Sequence, residues 1–267
     1  MTADGHPTTT SSAFPRPVSA SPAYPVDRYR HVPDAPSARR FGVVDIGEVR
    51  YDRIADWYVD FTREWPSEPI ALLPDDLTDQ RVLDMACGYG RAARQLAARG
   101  ADVIAVDISQ NLLAHGKALT TPRPVSVRYV LGDVTTTDWW DGEPFDGVVC
   151  NMALMDIDDL DRALSTTSTV LKPGGWFSAS ILHPCFPGAG SGPEVALSSW
   201  PPERGYSWEG RWNTEGSGVR GHADVNHRTL ATYLNKFMDN GFAFDRFAEP
   251  DSATVPRYLV VRARRAA

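Results

Sequence analysis

Residues 82–91 read Val82-Leu83-Asp84-Met85-Ala86-Cys87-Gly88-Tyr89-Gly90-Arg91: a short apolar run, a turn bearing two glycines, and the start of a helical pattern. Gly88 and Gly90 lack a Cβ, so the backbone can turn sharply there and come close to a ligand. Nineteen residues after Gly88, at the end of the next apolar run, stands Asp107. A carboxylate in that place can accept both hydroxyl protons of a ribose. Asp84 lies inside the first run, just before the turn, and Asp133 follows the third run in Gly132-Asp133-Val134.

Outward from this stretch, short apolar runs alternate with helical patterns after Leu77, the signature of repeated βαβ units and a mainly parallel sheet. The pattern predicts strands over residues 81–85, 102–107, 125–131, 147–150 and 176–181, with helices over 91–99 and 160–170. Gly100 and Lys172-Pro173-Gly174-Gly175 are the helix stops. Further on, Leu230, Tyr233, Leu234, Phe237 and Met238 form a helical stripe ended by Asn240-Gly241, and residues 242–247 and 258–264 read as two closing strands. Toward the N-terminus, Tyr51, Ile54, Ala55, Tyr58 and Phe61 recur at spacings of three and four, which puts them along one helical face ahead of Pro66.

Two segments depart from this regularity. Residues 1–40 are rich in Pro, Ser, Thr and Ala and lack periodic apolar positions, so a disordered tail is expected. Residues 184–224 hold Trp200, Tyr206, Trp208 and Trp212 with little regular pattern, the character of a substrate lid. The expected organisation is one α/β domain over residues 41–267, with an N-terminal cap at 41–76 and the lid at 184–224.

Composition narrows the function classes. The 267 residues carry a formal net charge of -7, which argues against broad binding to a nucleic-acid backbone. Arg262, Arg264 and Arg265 are the nearest thing to a basic patch and read as a solvated strand end. No stretch approaches the roughly 20 apolar residues that span a bilayer, and no leader pattern opens the chain, so a cytoplasmic protein is expected. Cys87, Cys150 and Cys185 are too few and scattered for a disulfide framework or a CxxC metal signature. They read as reduced thiols, two of them buried.

Gly88-x-Gly90-x-x-Ala93 followed by an acid is also the fingerprint of NAD enzymes, so an NAD(P)-dependent oxidoreductase is one reading. Asp84 weighs against it. A carboxylate has no use facing a pyrophosphate, whereas it would serve a positively charged α-amino group. Asp133 is placed to accept from an exocyclic amine. Acids at three successive strand ends match an amino-acid head, a ribose and an adenine, the three parts of S-adenosylmethionine.

The ordered set VLDMACGYGR (82–91), VIAVDIS (103–109), LGDV (131–134), FDGVVCNMAL (145–154) and LKPGGWF (171–177) resembles the class I S-adenosylmethionine-dependent methyltransferases. The resemblance covers roughly Tyr51 to Arg264. It implies a Rossmann-like, doubly wound, mostly parallel seven-stranded sheet with an antiparallel C-terminal hairpin. It also implies methyl transfer to a small molecule, with oxygen, nitrogen and carbon all open as acceptor atoms, and secondary metabolism as one setting. By resemblance Asp84, Ala86, Gly88 and Gly90 hold the methionine part, Asp107 and Ile108 the ribose and adenine face, and Asp133 with Val134 the adenine. Ala86 departs from the glycine that often begins this turn in the family. A non-catalytic S-adenosylmethionine-binding protein is the reading from another class.

Ligands in open α/β sheets bind beyond the carboxyl ends of the strands, so candidates for chemistry are sought there. Asn151 ends the fourth strand without the Pro-Pro-aromatic sequence of amide and nucleobase N-methyltransferases, and either lines the cofactor pocket or caps a turn. His183 and His227 are candidate general bases, because histidine titrates near neutrality; His222 could face the same mouth. No histidine pair has a metal-binding spacing. Asp156, Asp158 and Asp159 read as a solvated loop or helix N-terminus. Tyr51 and Tyr58 are walls of the site or helix-packing residues, and aromatic walls suit a flat or apolar acceptor.

Overall fold

The strand at residues 82–85 alternates its side chains between two helix layers. Val82 faces a cluster with Ala92, Ala93 and Leu96, while Leu83 and Met85 face another with Leu164, Phe177 and Phe237. A strand buried on both faces belongs at the centre of a parallel sheet. In the computed structural model, which describes residues 49–64, 72–120, 127–186, 204–213, 218–250 and 256–267, that is its position.

The elements follow in the order α1 (Ala55–Thr62), β1 (Arg81–Met85), α2 (Arg91–Ala98), β2 (Asp102–Asp107), α3 (Gln110–Leu119), β3 (Val127–Leu131), β4 (Phe145–Asn151), α4 (Leu160–Val170) and β5 (Leu171–Leu182). After these come β6 (Gly210–Trp212), α5 (Val219–His222), β7 (Val225–His227), α6 (Leu230–Asp239), β8 (Phe242–Ala248) and β9 (Tyr258–Arg265). Seven strands form one sheet in the order β3-β2-β1-β4-β5-β9-β8, parallel from β3 to β5, with β9 antiparallel to both β5 and β8. β6 and β7 make a separate antiparallel pair. The strand order reverses between β1 and β4, so the crevice at their carboxyl ends is the topological switch point where ligands bind in such sheets.

The parallel body and the antiparallel hairpin agree with the expectation. Several local readings are corrected. α3 was not anticipated; Ser109 starts it by accepting from the Leu112 amide at 3.1 Å. Lys172-Pro173-Gly174-Gly175 is no helix stop: α4 ends at Val170, and these residues fall within β5, opposite the register shift between Phe145 and Gly147. The packed face of α1 is Ala55, Val59 and Thr62, leaving Phe61 exposed and stacked on Trp57. In α6, Tyr233 and Phe237 are buried and Met238 is exposed. Only Cys150 is buried among the cysteines. Arg262 and Arg264 pair with Asp245, consistent with a solvated strand end. The tail at 1–40, Pro66 and Trp200 lie outside the described residues. Within the described residues no helix is long and apolar enough to cross a membrane.

Candidate active site

β1 delivers Asp84 onto the α2 face of the sheet, where its Oδ2 accepts from the Ala93 amide at 2.7 Å. Its other oxygen, Oδ1, is buried and accepts no hydrogen bond from the described residues. Burial is the main cause that pushes the Asp84 carboxyl up to about 7, against the Ala93 bond, which lowers it. Asp107, at the end of β2, is buried too and raised for the same reason. Its oxygens accept from the Gly88 amide at 2.7 Å and the Ser109 amide at 2.8 Å. The sequence reading pointed this carboxylate only at a ligand; its first task is to hold the glycine turn against the start of α3.

The turn itself is strained where the sequence departs from glycine. Ala86 takes φ 52, a left-handed conformation that costs a residue with a Cβ roughly 1 kcal/mol. Ala86→Gly is therefore expected to raise stability by up to about 1 kcal/mol, read as a higher melting temperature; a lower one would contradict the strain. Gly88, at φ 55, is different: a Cβ there meets only Leu112 Cδ1 at 4.0 Å, so its far side is open. Gly90, at φ 75, is required by packing, because a Cβ would run into the Tyr129 side chain.

Ile108 beyond β2 is half-exposed, as is Leu131 at the end of β3. Asp133 is exposed, and its Oδ1 accepts from the Thr135 amide and hydroxyl at 2.9 and 2.8 Å. The Val134 side chain is instead part of the core, which restricts its role at the site to its backbone. Asn151, at the end of β4, accepts from the Ser180 hydroxyl at 2.7 Å, and Ser180 Oγ accepts from the Met152 amide at 3.0 Å. The amide side chain thus fixes the turn after β4.

The cap docks through polar contacts that no motif announces. Asp52 accepts from the Ser109 hydroxyl and the Asn111 amide, and Thr62 and Tyr89 share a buried hydrogen bond of 2.9 Å. Arg50 donates to the carbonyls of Asp156 and Asp224 and to Asp158. The acidic run after β4 therefore divides. Asp159 caps α4, accepting from the Arg162 amide at 3.0 Å, and Asp158 pairs with Arg50 and Arg211. Asp156 is only part-exposed: burial pushes its carboxyl up to about 7, and the Tyr51 hydroxyl donates to it. The charge of Asp107 raises both Asp84 and Asp156.

Beyond the ends of β4 and β5 lies a cleft of about 300 Å³, counted out to its mouth and lined by Met155, Leu182, Trp212, Arg220 and Tyr233 together with both candidate bases. His183 uses both ring nitrogens. Nδ1 accepts from the Cys185 amide at 3.2 Å, which leaves Nε2–H to donate to Glu249 at 2.9 Å. His227 donates from Nε2 to the Tyr206 carbonyl at 3.0 Å, so the lone pair is on Nδ1; burial holds its pKa below the ordinary value. His222 is exposed and lies tilted against Trp57, ring centroids 3.9 Å apart, rather than joining the cleft.

A sheet of this order, with buried carboxylates near the ends of β1 and β2 and a glycine turn between β1 and α2, is the arrangement of the class I S-adenosylmethionine-dependent methyltransferases, which the chain resembles. Residues 83–179 match the family model described as a methyltransferase domain. The chain is 35% identical over 108 residues to the demethylmenaquinone methyltransferase of Renibacterium salmoninarum, covering 40% of this chain and 44% of that one. It is 32% identical over 107 residues to the ubiquinone biosynthesis O-methyltransferase of Paraburkholderia phymatum, covering 40% and 46%. Among solved structures it is similar to an S-adenosylmethionine-dependent methyltransferase from Mesorhizobium loti, with TM-score 0.60, 28% identity, and coverage of 78% of this chain and 100% of that one. The chain spans about half the length of the curated relatives it matches.

Proposed function

We propose that the chain transfers a methyl group from S-adenosylmethionine to a small-molecule acceptor. The observation that carries this is Asp84. In a dinucleotide site the first amides of α2 would face a pyrophosphate; here the Ala93 amide is satisfied by Asp84 Oδ2, and Oδ1 is left as a buried acceptor. Asp84, with Asp107 close enough to raise it, suits a cationic group and disfavours a pyrophosphate there. When bound, S-adenosylmethionine supplies an electrophilic methyl group on a sulfonium.

In this reading Asp84 takes the cofactor's amino group, and the open side of Gly88 with Ala86 and Gly90 admits its methionine part. Asp107 takes the ribose through lone pairs not used on the two amides, and Ile108, Asp133 and the Val134 backbone face the adenine. Tyr51 and Asn151 close the cofactor site toward the cleft. The docked cap and the aromatic-rich segment around Tyr206 and Trp212 keep water from the reacting atoms. His227, which burial keeps neutral, is the residue we assign to accept a proton from the acceptor; His183 holds the end of β5 to Glu249 and the following turn. The curated relatives' names concern quinone-related small molecules, and we take from them only that class of acceptor.

The test is calorimetric titration with S-adenosylmethionine and, separately, NAD(H). Wild type is expected to bind the sulfonium ligand at micromolar concentration and NAD(H) far more weakly. Asp107→Ala, which frees two turn amides as well as removing the ribose acceptor, is expected to weaken sulfonium binding about tenfold or more. A preference for NAD(H), or no binding of either, overturns the assignment. Methyl turnover on any acceptor excludes a binding-only protein.

A further inference from the structure

Arg220 differs from the other arginines around the cleft. Arg228, which lines it too, spends its donors on the carbonyls of Leu154 at 3.2 Å, Ile157 at 2.7 Å and Asp158 at 2.8 Å. Arg50 and Arg211 are engaged by Asp158. Arg220 projects from α5 into the cleft with its guanidinium 5.4 Å above the Trp212 ring, and among the described residues it donates no side-chain hydrogen bond and forms no ion pair.

A guanidinium offers five N–H donors in a rigid fork that matches a carboxylate or another anionic oxygen. Drawing such a cation out of water without a hydrogen-bonded partner is costly, and burial accordingly pulls the Arg220 pKa down. The nearest balancing charge is Asp156, whose carboxyl is already engaged by Tyr51. Glu209 is turned toward Thr229 and Thr232. Met155, Leu182, Pro184, Trp212, Val225 and Tyr233 are apolar or aromatic walls, and the uncharged amide of Asn226, with His183 and His227, completes the lining.

We propose that this cleft is the acceptor pocket and that Arg220 selects an acceptor carrying an anionic oxygen, a carboxylate or an ionised phenol, on a compact apolar frame. The inference rests on reading the adjoining sheet end as the cofactor site. The cleft opens to solvent, and its space of about 300 Å³ includes that mouth, so the frame it takes is a compact one. Trp212, beneath the guanidinium, both orients it and reports on whatever binds it.

The experiment uses the full chain saturated with S-adenosylhomocysteine and follows tryptophan fluorescence during titration with benzoate, salicylate and naphthoate, each beside its neutral amide. At least one carboxylate is expected to bind wild type about tenfold or more tighter than its amide, and to lose that advantage in Arg220→Met. Arg220→Lys, which keeps the charge without the fork, is expected to fall between. S-adenosylhomocysteine affinity within about twofold of wild type in both variants shows that the fold and cofactor site are intact. Amides binding as tightly as carboxylates, equal carboxylate affinity in Arg220→Met, or no carboxylate binding to wild type would each overturn the proposal. Failure of wild type to bind S-adenosylhomocysteine would overturn the cofactor reading instead.

Discussion

Asp84→Asn is expected to weaken S-adenosylmethionine binding by about 100-fold or more while leaving the protein folded. The asparagine carbonyl can still accept from the Ala93 amide, so α2 stays anchored. Its amide group then occupies the place of the unpaired Oδ1, and a donor meets the cofactor's ammonium where an acceptor stood. The effect combines loss of a charge-assisted hydrogen bond with a donor–donor conflict.

The same residue sets a pH dependence. Asp84 is raised from an ordinary value of 3.8 to about 7, chiefly by burial, with Asp107 adding to the rise and the Ala93 amide and Arg94 opposing it. Burying its ionised form therefore costs folding free energy. With respect to this group, stability of the ligand-free protein is greatest below about pH 4 and is lost as pH rises through about 7, by on the order of 4 kcal/mol. Binding of a cation requires the ionised form, so sulfonium affinity is expected to run the other way, rising between about pH 6 and 8. Asp156, raised to the same range, contributes its own share to both trends. Asp84→Asn should thus melt higher than wild type at pH 8 without ligand and show a shallower rise of affinity with pH. A variant that binds as wild type does, or melts lower at pH 8, would remove Asp84 from the proposed role.

Gly147→Ala is expected to destabilise the domain by about 2–3 kcal/mol, or prevent its folding outright. Gly147 pairs with Trp176 across β4 and β5, and a Cβ on it would fall within the indole ring. The ring cannot swing away cheaply: Trp176 is buried, and its Nε1 donates to Gln80 at 2.9 Å. For a domain of this size the loss should appear as a melting point lower by about 4–12 °C. Because β4 carries Asn151 to the switch point, cofactor affinity should fall together with stability. A smaller residue opposite, Trp176→Leu, should restore much of the loss in the double variant. An unchanged melting temperature for Gly147→Ala would mean that the indole packs elsewhere in solution.

Asp84, Asp107, Gly88 and Gly90 were legible in the sequence because each answers a local demand. The glycines serve positive φ, and the acids end strands whose apolar runs fix their register. β1 and β2 fall on the predicted residues for the same reason. α3 escaped notice because its stripe is weak, and its start depends on Ser109, held in turn by Asp107 and Asp52. Val134 shows the limit of carrying side-chain roles over by motif, because its side chain enters the core, whereas that of Ile108 stays exposed.

The amino-acid sequence by itself determined a parallel α/β sheet, its glycine turn and the acids at its strand ends, since these follow from periodicity and from backbone conformations that few residues can adopt. Only the tertiary structure decided which candidates share a site. It brought Tyr51 to Asp156 across more than a hundred residues, used up both nitrogens of His183, and set Arg220 in the cleft over Trp212. Burial and partnership set the charge and availability of these groups, and both are properties of chain segments distant in sequence that no local pattern encodes.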